Sequence, residues 1–474
     1  MRQMSVLVGL FYLLLGATCL EARPRSSEWT VMVFMNAKNN LEEDGINDFL
    51  EMAAVGSTSD VNVVVQFGRP AEHYDRRYGA WSGVRRYHVK KGDEPLADKA
   101  LAVVEGAAAD MGKPDSLIGF VTWARSSFPA KRYALVIWNH GQGWRLQLDS
   151  SQGQAQRAAR SDVAARASEK KPRIIGGFRS VSHDEDTGNI LLNRQIQDSL
   201  GAHLKGERLE IVGFDACLMA MIETAFAMRG LAKHMVASQE LEPGAGWQYD
   251  VWLRRLVEAP QVEGAALGKL IVEAYRERYG DQYKTTLSSV DLTQALPLSA
   301  NISAIADHLI AAGGQGLETL RRARSGLKSY GDDQTQPNYV DLGLLLDRLG
   351  NASSDERLKE LVRVAQTGLS RMVTANYRSR RLERHYGSNG VSIFLPEDKQ
   401  AFELDPDKEG YLQRNQAGPV EFVQTYRWAC LVALHVGLDR EECPPLSSRV
   451  SFTGLGPHGR RWERGRLSGY NEGL

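Results

Sequence analysis

The chain has 474 residues, 43% hydrophobic and 24% charged, with a formal net charge of zero. That length accommodates one large core plus a second region or several elaborations. The balanced charge gives no electrostatic reason to expect nucleic acid or an anionic membrane surface as partner.

In chain order, the N-terminus comes first and differs from the rest. "MRQM" carries one Arg, and the apolar run "SVLVGLFYLLLG" from Ser5 to Gly16 is too short to span a bilayer. Small residues and then the polar "LEARPRSSE" follow. This predicts a secretory signal peptide over residues 1–22, cut between Ala17 and Ala22, and a secreted or periplasmic chain without stable membrane insertion. An uncleaved anchor is the alternative. Lipid attachment at Cys19 is disfavoured, because "GATC" lacks the usual Leu three residues earlier. If Cys19 leaves with the signal, Cys217, Cys430 and Cys443 remain. Cys430 and Cys443 flank the end of a predicted C-terminal helix and are candidates to bridge in an oxidising compartment, which makes Cys217 the odd thiol.

From Trp29 onward strands and helices alternate. "WTVMVFMNA" and "VNVVVQFG" are β-branched apolar runs, and between them Leu41, Ile46, Phe49, Leu50 and Met52 recur at helical spacing. That is a strand–helix–strand unit opening a parallel sheet. "GVRRYHVK" reads as an edge strand, and "PLADKALAVVEG" and "PDSLIGFVTWARSSF" as helices. "RYALVIWNHGQGW" is a buried strand running into a Gly-rich loop. "RLEIVGFDAC" is another, followed by a helix in "CLMAMIETAFAMRG" and a further strand and loop in "HMVASQELEPGAGW". The alternation predicts an α/β/α sandwich with a mostly parallel central sheet, its core over residues 28–255.

A helix-rich region follows over 256–443. The strand-like "TTLSSVDL" and "NGVSIFLP" interrupt it and contribute further strands to the core. "ERLKELVRVAQTGLSRMVTANY" and "GPVEFVQTYRWACLVALHVG" each read as one helix, and residues 444–474 as a loose tail. One segment stands apart: residues 145–173 have few large apolar side chains and many Arg and Lys, the composition of an exposed, mobile loop.

Open parallel sheets place ligands at the carboxyl ends of their strands. Two such ends carry residues of catalytic type, Asn139-His140-Gly141 and Asp215-Ala216-Cys217. If the strands are neighbours, imidazole and sulfur face each other across the crevice. A free thiol is mostly protonated at neutral pH; an imidazole can take that proton, and a helix starting at Cys217 would add a field favouring thiolate. The backbone N–H of Cys217 and of Gly141 are candidate oxyanion donors. Asp215, two residues before Cys217, shares its strand face, where a carboxylate selects cationic substrate groups. Plainer readings exist for each: a core cysteine, a histidine bracing a turn, an aspartate capping a helix.

Taken together, "YALVIWNHGQGW" and "GFDACLMAMIETAF" resemble the His and Cys motifs of the clostripain family, cysteine endopeptidases related to caspases, gingipains and legumains. "WTVMVFMNAKNNLEEDGINDF", "VNVVVQFGR", "SHDEDTGN", "VASQELEPGAGW", "TLSSVDLT", "YVDLGLLL" and "NGVSIFLP" extend the resemblance from Trp29 to Gly437 in the family's order. It implies a caspase-like fold, a Cys217–His140 dyad, and cleavage of protein or peptide substrates after Arg or Lys. Asp215 would line the specificity pocket, with a second acidic residue, Glu240 or Glu242. It also implies an inactive precursor cut between the His and Cys segments. Arg157, Arg160, Arg166, Lys170, Lys171 and Arg173 lie there and are of the residue type the pocket should accept.

Two features are specific to this chain. Lys38 in "NAKNN" stands where the family more often has an acidic residue, and is expected either to alter substrate preference or to be solvated. Some family members need calcium; here "DEDTGN", Asp184 to Asn189, offers oxygen ligands without the spacing of an EF-hand loop. No zinc-spaced Cys/His cluster or phosphate-binding Gly-rich loop is present, and the chemistry itself needs no cofactor. A catalytically silent binding or scaffold protein on the same fold, or a Cys-dependent transpeptidase, is the competing function.

Overall fold

The structure, a computed structural model, describes residues 26–142, 181–331, 338–382, 386–405, 408–412 and 421–446. The expected signal peptide with Cys19, the basic segment 145–173 with its processing candidates, and the tail past residue 446 lie outside the described residues.

The strands of the first half are β1 (Ser27–Asn36), β2 (Val61–Arg69), β3 (Gly83–His88), β4 (Ala102–Val104), β5 (Ala130–Trp138), β6 (Val181–Asp184) and β7 (Asn189–Leu191). Then follow β8 (Leu209–Asp215), β9 (Ala232–Ala237), β10 (Thr286–Asp291), β11 (Tyr339–Asp341), β12 (Val373–Arg378) and β13 (Ser392–Phe394). Nine of them form one sheet in the order β12-β10-β9-β8-β5-β1-β2-β3-β4. Its centre, from β9 to β2, is parallel. Antiparallel strands finish both edges. The sandwich expected from the sequence is thus the fold observed.

The apolar runs are continuous because both sheet faces are covered. In β1, Val31, Val33 and Met35 enter one core while Met32 and Phe34 enter the other. Helices α1 (Glu42–Val55), α2 (Pro114–Ser127), α3 (Asn193–Leu204), α4 (Ile222–Met228), α5 (Tyr249–Glu258) and α6 (Gly264–Tyr279) supply the first covering layer. Of these, α1, α5 and α6 pack on the first face and α2, α3 and α4 on the second. The second face is extended by α7 (Ala295–Ala311), α8 (Gly313–Arg324), α9 (Leu342–Ala352), α10 (Glu356–Met372) and α11 (Trp428–His435). Cys430 and Cys443 form a disulfide that fastens α11 to the segment after it.

Four expectations are corrected. "PLADKALAVVEG" is not a helix: Leu101 and Val103 point to solvent while β4 pairs with the open edge of β3, whose backbone groups no helix would satisfy. The pattern from Glu356 does not stay helical to Tyr377; at the β-branched Val373-Thr374 the chain turns into edge strand β12. The C-terminal helix is broken into Glu421–Thr425 and α11, where the Trp428 indole donates to the Phe394 carbonyl. Finally, no helix starts at Cys217: residues 216–221 form a turn and a short extended run, and α4 begins at Ile222.

Candidate active site

The register of β5 on β8 positions the site. Trp138 pairs with Asp215, so the residues that follow leave the sheet at one level. His140, Asp215, Cys217 and Glu242 line a single cavity. Gly141 lies against the cysteine so closely that a Cβ there would sit 2.4 Å from the Cys217 carbonyl oxygen and 3.0 Å from its nitrogen. No acceptor among the described residues takes the backbone N–H of Gly141 or of Cys217.

Cys217 is 8% exposed and is the free cysteine among the described residues. Its Sγ accepts the Glu242 backbone N–H at 3.2 Å. The next residue, Leu218, has φ of 63°, left-handed geometry that costs a side-chain-bearing residue about 1–3 kcal/mol. Two sets of bonds hold this bend. Leu218 N–H donates to the Glu240 carbonyl, Ala220 N–H donates to the Ser238 carbonyl, and Ser392 of β13 donates to the Ala220 carbonyl. Because the helix starts late, the field expected to favour thiolate does not reach the sulfur, since it fades within the first turn. Burial instead pushes the thiol up to about 12, and the acidic side chains of Glu242 and Glu240 add to this against the Glu242 N–H.

His140 is 5% exposed. Its Nε2 is 2.9 Å from Asn40 Oδ1, in the loop after β1. The amide oxygen takes a hydrogen from Nε2, which leaves Nδ1 as the basic nitrogen. Asn139 braces the same loop: its Oδ1 accepts the backbone N–H of His140 at 2.6 Å and of His183 at 3.2 Å, and its Nδ2 donates to the Asn36 carbonyl.

Acidic groups form the rest of the cavity. Asp215 Oδ2 accepts from Trp247 N–H at 3.2 Å and Tyr249 OH at 2.9 Å. It caps no helix. Gly246, at φ 51°, packs so tightly on it that a Cβ would lie 2.8 Å from Oδ1. Both Glu242 oxygens are buried without a hydrogen-bond partner. Behind Trp138 lies Asp48 of α1, fully buried; its Oδ2 accepts the Trp138 indole N–H at 2.6 Å and its Oδ1 has no partner. Burial pushes all three carboxyls up, Asp215 to about 6, and mutual repulsion adds to the rise of Asp48 and Glu242. The nearest cation, Arg278, is engaged by Glu51 at 2.7 Å. Of the two glutamates the sequence offered, Glu240 is not part of the lining: its Oε1 accepts from Leu241 and Gly331 N–H, both at 2.8 Å.

Lys38 is not solvated. It is 5% exposed, with Nζ 2.8 Å from Asp184 and 3.3 Å from Asp186. This bears on calcium. Asp184 Oδ2 also accepts the Met111 N–H and its Oδ1 those of Asp186 and Thr187, while the Asn189 amide donates to Asp110. The 184–189 hairpin is therefore closed around an ammonium group and does not fit calcium, and among the described residues no group of three His, Cys, Asp or Glu converges as metal ligands.

Sequence reasoning missed Asn40 and Asp48. Both had a signal. Asn40 lies in the loop after β1, the strand next to β5, so that loop can overhang His140. Asp48 shares the buried stripe of α1 with Gly45 and Met52, where a carboxylate is out of place unless used.

The model of the clostripain family matches residues 33–163 and 166–428. Clostripain of Hathewaya histolytica is 24% identical over 426 residues, covering 80% of this chain and 76% of the relative. Among solved structures, a secreted C11 cysteine protease from Bacteroides thetaiotaomicron in complex with an irreversible peptide inhibitor has a TM-score of 0.55 at 18% identity, covering 84% of this chain and 98% of that one. An inactive zymogen C11 protease from Parabacteroides distasonis has a TM-score of 0.51 at 16% identity, covering 83% and 98%. The extent of the family match makes the assignment: this chain belongs to the clostripain family and is a cysteine endopeptidase.

Proposed function

We propose that the protein is a secreted endopeptidase that hydrolyses peptide bonds after Arg or Lys, with Cys217 as nucleophile and His140 as its base. The observation that carries this is one cavity holding a thiol, an imidazole and two buried carboxyls, with Glu242 unpartnered. Asp215 and Glu242 receive the substrate's cationic side chain. As the scissile carbonyl arrives, His140 Nδ1 takes the thiol proton and Sγ attacks the carbon. The N–H groups of Gly141 and Cys217 stabilise the oxyanion. The imidazolium then protonates the departing amine, and water, deprotonated by the same imidazole, hydrolyses the thioester. Secretion fits the Cys430–Cys443 disulfide, a bond of oxidising compartments. Activation is proposed to follow cleavage at one of Arg157, Arg160, Arg166, Lys170, Lys171 or Arg173. A protein or peptide substrate is the only partner invoked, and no step needs calcium.

The test is turnover of fluorogenic peptide amides bearing Arg, Lys or norleucine before the scissile bond. Wild type should cleave the first two, Cys217→Ala none, and Asp215→Asn should lose roughly a hundredfold or more in kcat/KM on the basic substrates alone, about 3 kcal/mol for an abandoned charge-assisted pair. Equal rates on norleucine, or activity surviving Cys217→Ala, would refute the assignment.

A further inference from the structure

The acid-lined cavity holds more negative groups than its surroundings balance. Asp48, Asp215 and Glu242 are each at most 6% exposed. The charged and titratable groups facing them are Arg278 of α6, Glu51 of α1, His140 and Cys217 of the same cavity and, toward the sulfur, Glu240; Arg278 and Glu51 already bind each other. The buried phenols of Tyr249, Tyr275 and Tyr279 lie around these carboxyls, and burial keeps all three protonated. Donors are also unevenly shared. Asp215 has a backbone N–H and a phenol, Asp48 has one indole N–H, and neither Glu242 oxygen has a well-formed hydrogen bond, although the Trp247 indole, the Ala216 N–H and the Asp215 carboxyl lie beside it. Like charges this close in a dry site do not all ionise together.

We infer that the pocket exchanges a proton for the substrate's cation: the buried carboxyls of Asp48, Asp215 and Glu242 retain a proton while the pocket is empty, and an entering guanidinium or ammonium expels it to solvent. This rests on the reading that the pocket takes a basic side chain. A guanidinium supplies the donors Glu242 lacks and the charge the trio lacks, so the ionised form becomes the stable one. The raised titration of these groups, from burial first and mutual repulsion second, agrees with this. Asp48 thereby becomes a specificity-determining residue without reaching the substrate.

The experiment is calorimetric titration of the purified protein with a peptide ending in agmatine, which offers a guanidinium but no bond to cut beyond it. Run at pH 6.5 in buffers of different ionisation enthalpy, the observed heat should show close to one proton released per peptide bound. Affinity should strengthen by up to about tenfold per pH unit below the pocket's titration and level off above it. Glu242→Gln and Asp48→Asn should each bind with less proton release, whereas a structural lesion would weaken binding and leave the proton count unchanged. Binding with no proton released overturns the exchange and leaves the peptidase assignment standing. No binding, together with no cleavage of Arg or Lys amides, overturns the pocket assignment and the exchange with it.

Discussion

Replacing Gly141 by Ala tests the closeness of the two catalytic loops directly. Gly141 does not have a left-handed φ, so the backbone itself tolerates alanine. The obstacle is steric: the new methyl would lie 2.4 Å from the Cys217 carbonyl oxygen, 2.9 Å from Ala216 Cβ and 3.0 Å from Cys217 N. Carbon–oxygen contacts settle near 3.3 Å, so the loops must part by about 0.9 Å. A shift of that order in a reacting group costs roughly a hundredfold in rate, or about 2.7 kcal/mol. The sheet beneath is unaffected, because β5 ends at Trp138 and β8 at Asp215. Gly141→Ala should therefore melt within a few degrees of wild type while kcat on an Arg amide falls roughly a hundredfold with little change in KM. Near-wild-type kcat would show that the loops are not as close as described, or that Gly141 does not serve the oxyanion. A collapsed melting temperature would place the damage in folding and refute the reasoning equally.

Two further outcomes follow. Asn40→Ala should lower kcat by about 10- to 100-fold, the cost of an imidazole without its orienting acceptor. Asn40→Asp should recover much of the loss and move the acid limb of the kcat/KM profile to higher pH, because a carboxylate favours imidazolium; a change confined to KM would contradict the assigned role. Glu223 of α4 bears on stability instead. It is fully buried, accepts from Phe394 N–H and Tyr411 OH, and leaves its second oxygen without a partner. Burial raises its carboxyl from 4.5 to about 7. The folded chain keeps a proton there that the unfolded chain has lost, so this group's contribution is full below about pH 4.5 and is lost as pH rises through 7. The span is about 3 kcal/mol. Glu223→Gln should flatten the urea-unfolding profile between those limits, and an unchanged slope there would count against it.

The parts legible in the sequence are those that local pattern dictates. The runs at Trp29, Val61, Tyr133 and Leu209 read as buried strands because both sheet faces are covered, and no competing periodicity exists in them. That His140, Asp215 and Cys217 meet at one cavity was legible because they follow the carboxyl ends of strands that lie side by side. What failed was set by partners far away in the chain. "CLMAMIETAF" has helical spacing from its first residue, yet residues 217–221 are held in a turn and a short extended run by the 238–240 loop and by Ser392 of β13. Val103 lies in a helix-like stretch, but an open edge on β3 took it as a strand. Which of Glu240 and Glu242 lines the cavity depends on Leu241 and Gly331, whose N–H groups bind the first. Asn40 was missed for the same reason: its place beside His140 follows only once β1 is put next to β5.

The late start of α4 also changes how the nucleophile is to be understood. A thiol at a helix N-terminus would carry thiolate at rest, and thiolate is the species that oxidises and is alkylated. Here the helix field is displaced, the sulfur is 8% exposed, and burial with acidic neighbours holds it as a thiol up to about pH 12. For a chain whose other described cysteines are oxidised to a disulfide, that is a protective arrangement. On the proposed mechanism, reactivity is generated in the complex, by His140 accepting the proton as the carbonyl arrives, and the groups that recognise the substrate and the groups that quieten the sulfur are partly the same. Glu242 binds Sγ through its backbone N–H while its carboxyl waits in the pocket for a cation. Under the proposed function, recognition and activation therefore meet at one residue, which would account for a buried glutamate without a well-formed hydrogen bond beside the thiol.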